Sequence, residues 1–385
     1  MATDDKTTVK PPFNEGPARV RLGDVCEIIM GQSPSSENYN DRELGLPFFQ
    51  GNADFGKEHP TAKVWCDSPI KIAYKGDLLL SVRAPIGAIN TAVEECCIGR
   101  GVAAIRPKSD MIDLDYLKHQ LIAARPRLES LGTGSTFKAI GKKLLNDYPI
   151  MLDSLENQQN VVHQLAHVNQ CMALKEATID RLDLLVKSRF NEMLLSQAYP
   201  SKPLSFFVES HVEAAKRSFA PDDIIQYIDI SSIDNCSQQI VRTTPYCFGD
   251  APSRAQQHIQ KNDLLISTVR PNLKNVAVNH IDAANLVASS GFCVLRSKGA
   301  PIEYLSAIVS SDEFTTAMCK KTTGANYTAI KDSDILSYEV PDAPQKQIGE
   351  FADFVSQVDK LRFKVQQQID KLNQLKKSLM QEYFG

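Results

Sequence analysis

The chain has 385 residues, 43% apolar and 23% charged, with a formal net charge of −3. No apolar run approaches the ~20 residues of a membrane-spanning helix. The charge balance supplies no global attraction to nucleic acid, but a local basic patch suffices for phosphate contact, so DNA binding stays open.

Residues 1–18, within the opening "MATDDKTTVKPPFNEGPARV", lack a basic-then-apolar signal and carry early acids. They read as a disordered lead-in to a cytoplasmic protein. Residues 19–153 hold short apolar runs, "PFFQG", "DLLLSV" and "VAAIRP", bounded by Gly, Pro and Asp. These are expected strands. "DLDYLKHQLIAARPRLESL" (113–131) has helical spacing interrupted at Pro126. Residues 154–197 form one expected helix, without Gly or Pro through Ser196. Residues 198–342 return to strands ("IIQYIDI", "DLLISTV", "NVAVNHI", "GFCVLR") and a helix, "IEYLSAIVSSDEFTTAM". Residues 343–385 form a second expected long helix. Strands and helices mix without strict alternation, which predicts an α+β fold. The nine cysteines make no C-x-x-C pair and are expected to be mostly buried reduced thiols. Cys96 and Cys97, adjacent on a strand, should face opposite ways.

The chain repeats itself. "TGSTFKAI" at Thr133 recurs as "TGANYTAI" at Thr323, 190 residues on, and Tyr148 and Tyr338 keep that offset. So do "IDRLDLLVKS" at Ile179 and "IDKLNQLKKS" at Ile369. "GDLLLSVRAP" at Gly76 matches "NDLLISTVRP" at Asn262, 186 residues on. The period is too long for a solenoid, so each copy is expected to hold a whole domain.

Both long helices carry a heptad seam. In the first, apolar residues fall at Val161, Leu165, Val168, Met172, Ile179, Leu182, Val186 and Met193. In the second they fall at Phe351, Val355, Val358, Val365, Ile369, Leu372, Leu379 and Tyr383. Lys175, Arg189, Arg362 and Lys376 interrupt the seams and are read as setting register. A narrow stripe on an otherwise polar helix needs a partner helix. Connectivity favours an antiparallel coiled coil with pseudo-two-fold symmetry. A helix of about 40 residues spans about 60 Å and would separate the two domains as a ruler.

The order of parts along nearly the whole chain resembles the specificity subunit of a Type I DNA restriction–modification system. "GDVCEIIMGQSPSSENYN" followed by "GLPFFQGNADF" is similar to the opening of that family's target-recognition domain. "GDLLLSVRAPIGAIN" resembles its central strand pair, and "LGTGSTFKAI" with "YPIMLDSLENQQNVV" its closing passage. The second copy lacks the G-Q-S-P turn, although "IQYIDISSID" is like a family passage. The resemblance implies a non-catalytic protein that binds both halves of a split double-stranded DNA target. It implies two methyltransferase subunits of adenine type, and ATP-dependent restriction/translocase subunits, as partners. S-adenosylmethionine, ATP and magnesium would then belong to those partners, with no cofactor in this chain.

The residues point the same way. "LGTGSTFKAIGKKLL" has the glycines and lysines of a phosphate loop, but Gly134 and Gly141 are too far apart and Lys142 precedes Lys143, not Ser or Thr. No G-x-G-x-x-G follows a strand, and the seven histidines make no ligand spacing. DNA reading needs donors and acceptors at base edges and cations at phosphates. In the first copy the candidates are Ser33, Ser35, Ser36, Asn38, Gln50, Asn52 and Arg83, with Lys138, Lys142 and Lys143 for phosphate. In the second they are Arg270, Asn272, Lys274, Asn275 and Asn326, with Lys320, Lys321 and Lys331. "SVRAP" and "STVRP" set Arg83 and Arg270 one position apart, which argues against one shared role. The same plan also fits a two-headed adaptor that binds proteins at each end of a coiled-coil ruler.

Overall fold

A computed structural model describes residues 17–134, 138–209, 212–235, 237–322 and 328–385. Nearly all of the expected lead-in, Asn326, and the repeat's aromatic positions Phe137 and Tyr327 lie outside the described residues. Contacts divide the chain into two units: Met1–Leu174 with Gln368–Gly385, and Lys175–Gln367. The fold is mixed α and β, with one long helix reaching from each unit's β-rich part. No helix among the described residues is long and apolar enough to cross a membrane.

In the first unit, Ala18–Arg21 pairs antiparallel with Pro149–Leu152, so the chain enters and leaves side by side. Inside lies an antiparallel sheet in the order Cys26–Met30, Val102–Pro107, Leu78–Ser81, Ile89–Thr91. Leu78, Leu79 and Leu80 are all fully buried. Leu78 and Leu80 face one core, with Ile28, Ile105, Leu117 and Leu121. Leu79 faces another, with Phe49, Ile98 and Ala104. A strand covered on both faces reads as a continuous apolar run, and each buried Leu contributes about 2 kcal/mol. A five-stranded sheet completes the unit: Tyr39–Asn40, Trp65–Cys66, Leu46–Phe49, Cys96–Ile98, Ile72–Ala73. Cys96 and Cys97 do face opposite ways. Cys96 joins the Leu79 core and Cys97 packs with Phe48 and Cys66.

In the second unit, Ser201–Pro203 pairs with Glu339–Pro341. A three-stranded sheet runs Val276–Val278, Leu264–Ser267, Phe292–Leu295. A four-stranded sheet runs Thr244–Cys247, Ile224–Ile228, Leu286–Ser289, Ala255–His258. Each unit also holds a buried ion pair at the start of its central strand. Asp77, 3% exposed, accepts from Arg106 Nε at 2.8 Å and Nη2 at 2.7 Å, and from the Tyr74 amide at 2.8 Å. Asp263, 1% exposed, accepts from Arg296 Nε at 2.8 Å and Nη2 at 2.7 Å, and from the Gln260 amide at 2.7 Å. The residue before each aspartate is left-handed: Gly76 at φ 92° and Asn262 at φ 69°. Asparagine is one of the few side chains that visit that region readily.

The long helices are Leu155–Phe190 and Gln345–Phe384. All sixteen apolar seam residues are buried or half-buried, whereas Leu184, Leu185, Leu361, Phe363 and Leu375 beside them are exposed. In the first unit, Val161 and Leu165 pack with Tyr116, Leu379, Tyr383 and Phe384, and Tyr383 Oη donates to Gln164 Oε1 at 2.9 Å. In the second, Phe190 lies 5.5 Å from Phe351 between ring centroids, and the Arg362 guanidinium donates to Asp183 and Asp359. Within that unit the two helical segments therefore run antiparallel.

Two local expectations need correction. "IEYLSAIVSSDEFTTAM" forms two helices, Ile302–Val309 and Asp312–Lys321, because Ser311 Oγ accepts from the Phe314 amide at 3.0 Å and starts the second. The break in 113–131 falls at Ala124, not Pro126, between Leu114–Ala123 and Arg125–Leu131. Pro126 sits in the first turn of the latter, where its missing N–H costs nothing. Cys247 is exposed, and Cys171 and Cys319 are half-buried.

Candidate nucleic-acid interface

Four strand ends of the first unit meet along one edge. The Gly31 amide, just after Met30, donates to the Val102 carbonyl at 2.9 Å, and the Gln32 amide to Ile98 at 2.9 Å. The Gly99 amide donates to the Phe49 carbonyl at 2.9 Å, and the Val82 amide to Gly101 at 2.9 Å. Side chains cannot enter these crossings. A Cβ on Gly31 would sit 2.2 Å from the Gly99 carbonyl oxygen, and one on Gly101 2.2 Å from that of Gln50. Glycine is required there by close backbone approach.

This edge gathers Ser33, Gln50, Arg83 and Lys138. Ser33 Oγ accepts from the Arg100 amide at 3.3 Å. Asp54 holds the Gln50 amide at 2.7 Å, leaving the Gln50 side chain exposed. Arg83 is exposed and its backbone bridges Ala139, while the Ala84 amide donates to the Lys138 carbonyl at 3.3 Å. Asn52 lines a cleft of about 300 Å³ with Phe55, Gly87, Asn90, Ile122 and Arg125. Ser36 and Asn38 lie in the turn Ser36–Asn38 that follows Ser35, and the Asn38 carbonyl accepts instead from the Asp67 amide at 3.2 Å. Lys142 and Lys143 begin the short helix Lys142–Asn146, which packs beside Leu22–Val25, and both are exposed. Sequence reasoning missed Arg100, which is exposed between Gly99 and Gly101 in the middle of the edge. The Gly-Arg-Gly triplet was its one visible signal.

The second unit builds a matching edge. The Thr268 amide donates to the Gly291 carbonyl at 2.9 Å, as Val82 does to Gly101. The Ile330 amide donates to Thr268 at 2.9 Å, as Ile140 does to Val82. In this register Arg83 corresponds to Val269, and Arg270 to Ala84, so the two arginines do not occupy one position. The loop that follows holds the turn Pro271–Leu273 between Arg270 at φ 50° and Lys274 at φ 51°. Each left-handed non-glycine residue costs about 1–2 kcal/mol. Asn272 is exposed in the turn, and the Asn275 carbonyl accepts from the Ser267 amide at 2.9 Å. Lys274 is paired with Asp312, whose carboxyl is thereby held below the usual carboxylate range. Lys320 and Lys321 end the helix Asp312–Lys321, and Lys321 Nζ donates to the Asp334 carbonyl at 3.3 Å and Ser337 Oγ at 3.2 Å. Lys331 is exposed ahead of Asp332–Leu336. Arg254, also missed, is exposed, and its carbonyl accepts from the Ser290 amide at 2.8 Å.

Known proteins resemble both the sequence and the fold. Residues 14–184 match the family model of the Type I restriction modification DNA specificity domain. Over that part the chain is similar to the Type I restriction–modification specificity family. A Methanocaldococcus jannaschii relative, the type I restriction enzyme MjaX specificity subunit, is 37% identical over 177 residues, 46% of this chain and 42% of the relative. The MjaIX specificity subunit of the same organism is 23% identical over 186 residues, 46% of this chain and 43% of the relative. The chain thus matches under half the length of these two relatives. The Type I restriction–modification system S subunit from M. genitalium shares the fold across 98% of both chains, at 13% identity and a TM-score of 0.53. The matched family model is described by DNA specificity. Among the described residues no group of three or more His, Cys, Asp or Glu is arranged to hold a metal ion.

Proposed function

We propose that this chain reads a split double-stranded DNA target, one half-site per unit, as the specificity subunit of a Type I restriction–modification complex. The observation that carries this is the paired edge. In both units matching backbone hydrogen bonds bring turns together, leaving Gln50, Arg83 and Arg100 exposed in the first and Arg254, Arg270 and Asn272 exposed in the second. Arg forks to guanine, and Asn or Gln to adenine, in the major groove. Cations beside them, Arg100 and Lys138 in one unit and Arg254 in the other, suit phosphate contact and fix register on the duplex.

On this reading the two units are copies of one recognition domain. The long helices pair as an antiparallel coiled coil, set the distance between half-sites and dock two methyltransferase subunits. S-adenosylmethionine, ATP and magnesium are used by those subunits and by restriction/translocase subunits, all in the cytoplasm. The test is co-purification with candidate adenine-type methyltransferase subunits, followed by mapping of methylated adenines. Methylation at a split sequence is expected, and methylation at an unsplit sequence or none at all would overturn the reading.

A further inference from the structure

The two edges differ at one matched place. In the first unit the Ser81 amide donates to the Ala88 carbonyl at 2.8 Å, and in the second the Ser267 amide donates to Asn275 at 2.9 Å. The preceding residues, Gly87 and Lys274, therefore correspond, and both are left-handed, at φ 87° and 51°. Glycine takes that shape at no steric cost, and lysine does not. Against Gly87 lies Arg125, the first residue of Arg125–Leu131, whose Cγ would be 2.8 Å from an added Cβ. Against Lys274 lies Asp312, the first residue of Asp312–Lys321, in an ion pair. A place that holds an arginine beside a glycine in one unit thus holds a neutralised lysine in the other.

The Lys274 side chain is only 28% exposed. It lines a crevice with Phe314, Thr315 and Met318 of the same helix, its apolar stem packed and its ammonium on Asp312. The far end of the loop is held where the Arg270 amide donates to the Thr328 carbonyl at 2.8 Å. A strained backbone pinned at both ends beside a ligand edge is a mark of pre-organisation. A lysine that served phosphate would gain nothing from a carboxylate partner, which repels the same phosphate.

We propose that the Lys274–Asp312 ion pair latches the loop 270–275 in the shape that offers Arg270 and Asn272 to a DNA half-site. Lys274 is then a positioning residue and not a phosphate contact. This rests on the reading that the second unit binds DNA.

The test uses the full chain and a random-sequence duplex library. A duplex enriched by the wild type is then titrated at several salt concentrations. Asp312→Asn is expected to weaken binding about tenfold and to blur one half-site, with the slope of log affinity against log salt unchanged. The swap Lys274→Asp with Asp312→Lys keeps the ion pair, and Asp tolerates a left-handed backbone, so it should recover most of the loss. Without DNA, amides 270–276 should exchange faster in Asp312→Asn than in the wild type. The latch is overturned if Asp312→Asn binds more tightly, if Lys274→Asn lowers the salt slope by about one, or if loop exchange is unchanged. Failure of the wild type to enrich any duplex overturns the DNA reading itself, before any variant is compared.

Discussion

After Leu78–Ser81 and after Leu264–Ser267 the chain makes turns on the same frame of backbone hydrogen bonds, yet presents different chemistry. The first turn carries Arg83 at the bridge, Gly87 in the left-handed position and Arg125 against it. The second carries Val269, Lys274 and Asp312 in those places. The frame is built from amides, carbonyls and an Asp–Arg pair whose carboxylate is buried. What is offered to a ligand lies in residues that the frame does not constrain. On the proposed reading, that separation lets two units share an architecture and read different half-sites.

The frame breaks hardest at its ion pairs. Asp77→Ala is expected to destabilise the chain by about 2–3 kcal/mol, and Asp263→Ala similarly, because each strands a half-buried arginine. Denaturant titration of both variants checks this, and unequal losses would mean that the two frames are not equivalent. Next in size is the offered surface. Arg83→Ala should lower affinity for a selected duplex by about 1–2 kcal/mol and relax base choice in one half-site only. Relaxation in both half-sites would contradict one edge per unit. The smallest expected effect is Asn262→Gly, which makes the second frame like the first at Gly76. A change of only a few tenths of a kcal/mol in denaturant stability is expected, since Asn already tolerates φ 69°.

Much of the framework was legible beforehand. Strands appeared as apolar runs because Leu78–Ser81 and Leu264–Ser267 are buried on both faces. The heptad positions fall on the covered sides of both helices, since a narrow stripe must be covered to be stable. "LGTGSTFKAIGKKLL" was legible as failing to be a nucleotide loop, and Ala139 and Ile140 within it bridge Arg83 and Val82 instead.

The edge was less legible. Arg100 escaped notice because Gly99 and Gly101 are glycines for close approach to Phe49, Gln50 and Val82, partners distant in sequence. Lys274 and Lys321 looked like free cations, yet tertiary packing gives them Asp312, Asp334 and Ser337. No local pattern announces such pairings, because they join residues 13 to 38 positions apart in different elements. The helix break at Ser311 depended on one hydroxyl, a cap that periodicity alone does not weigh.

The central claim is that each edge reads its own half-site while the helices set the gap without choosing bases. It is tested most directly by inserting one heptad into both long helices and mapping the sequence the chain selects. Seven residues add about 10 Å, or about three base pairs. The account predicts a gap longer by about that much, with both half-sites unchanged. An unchanged gap, or altered half-sites, would contradict it.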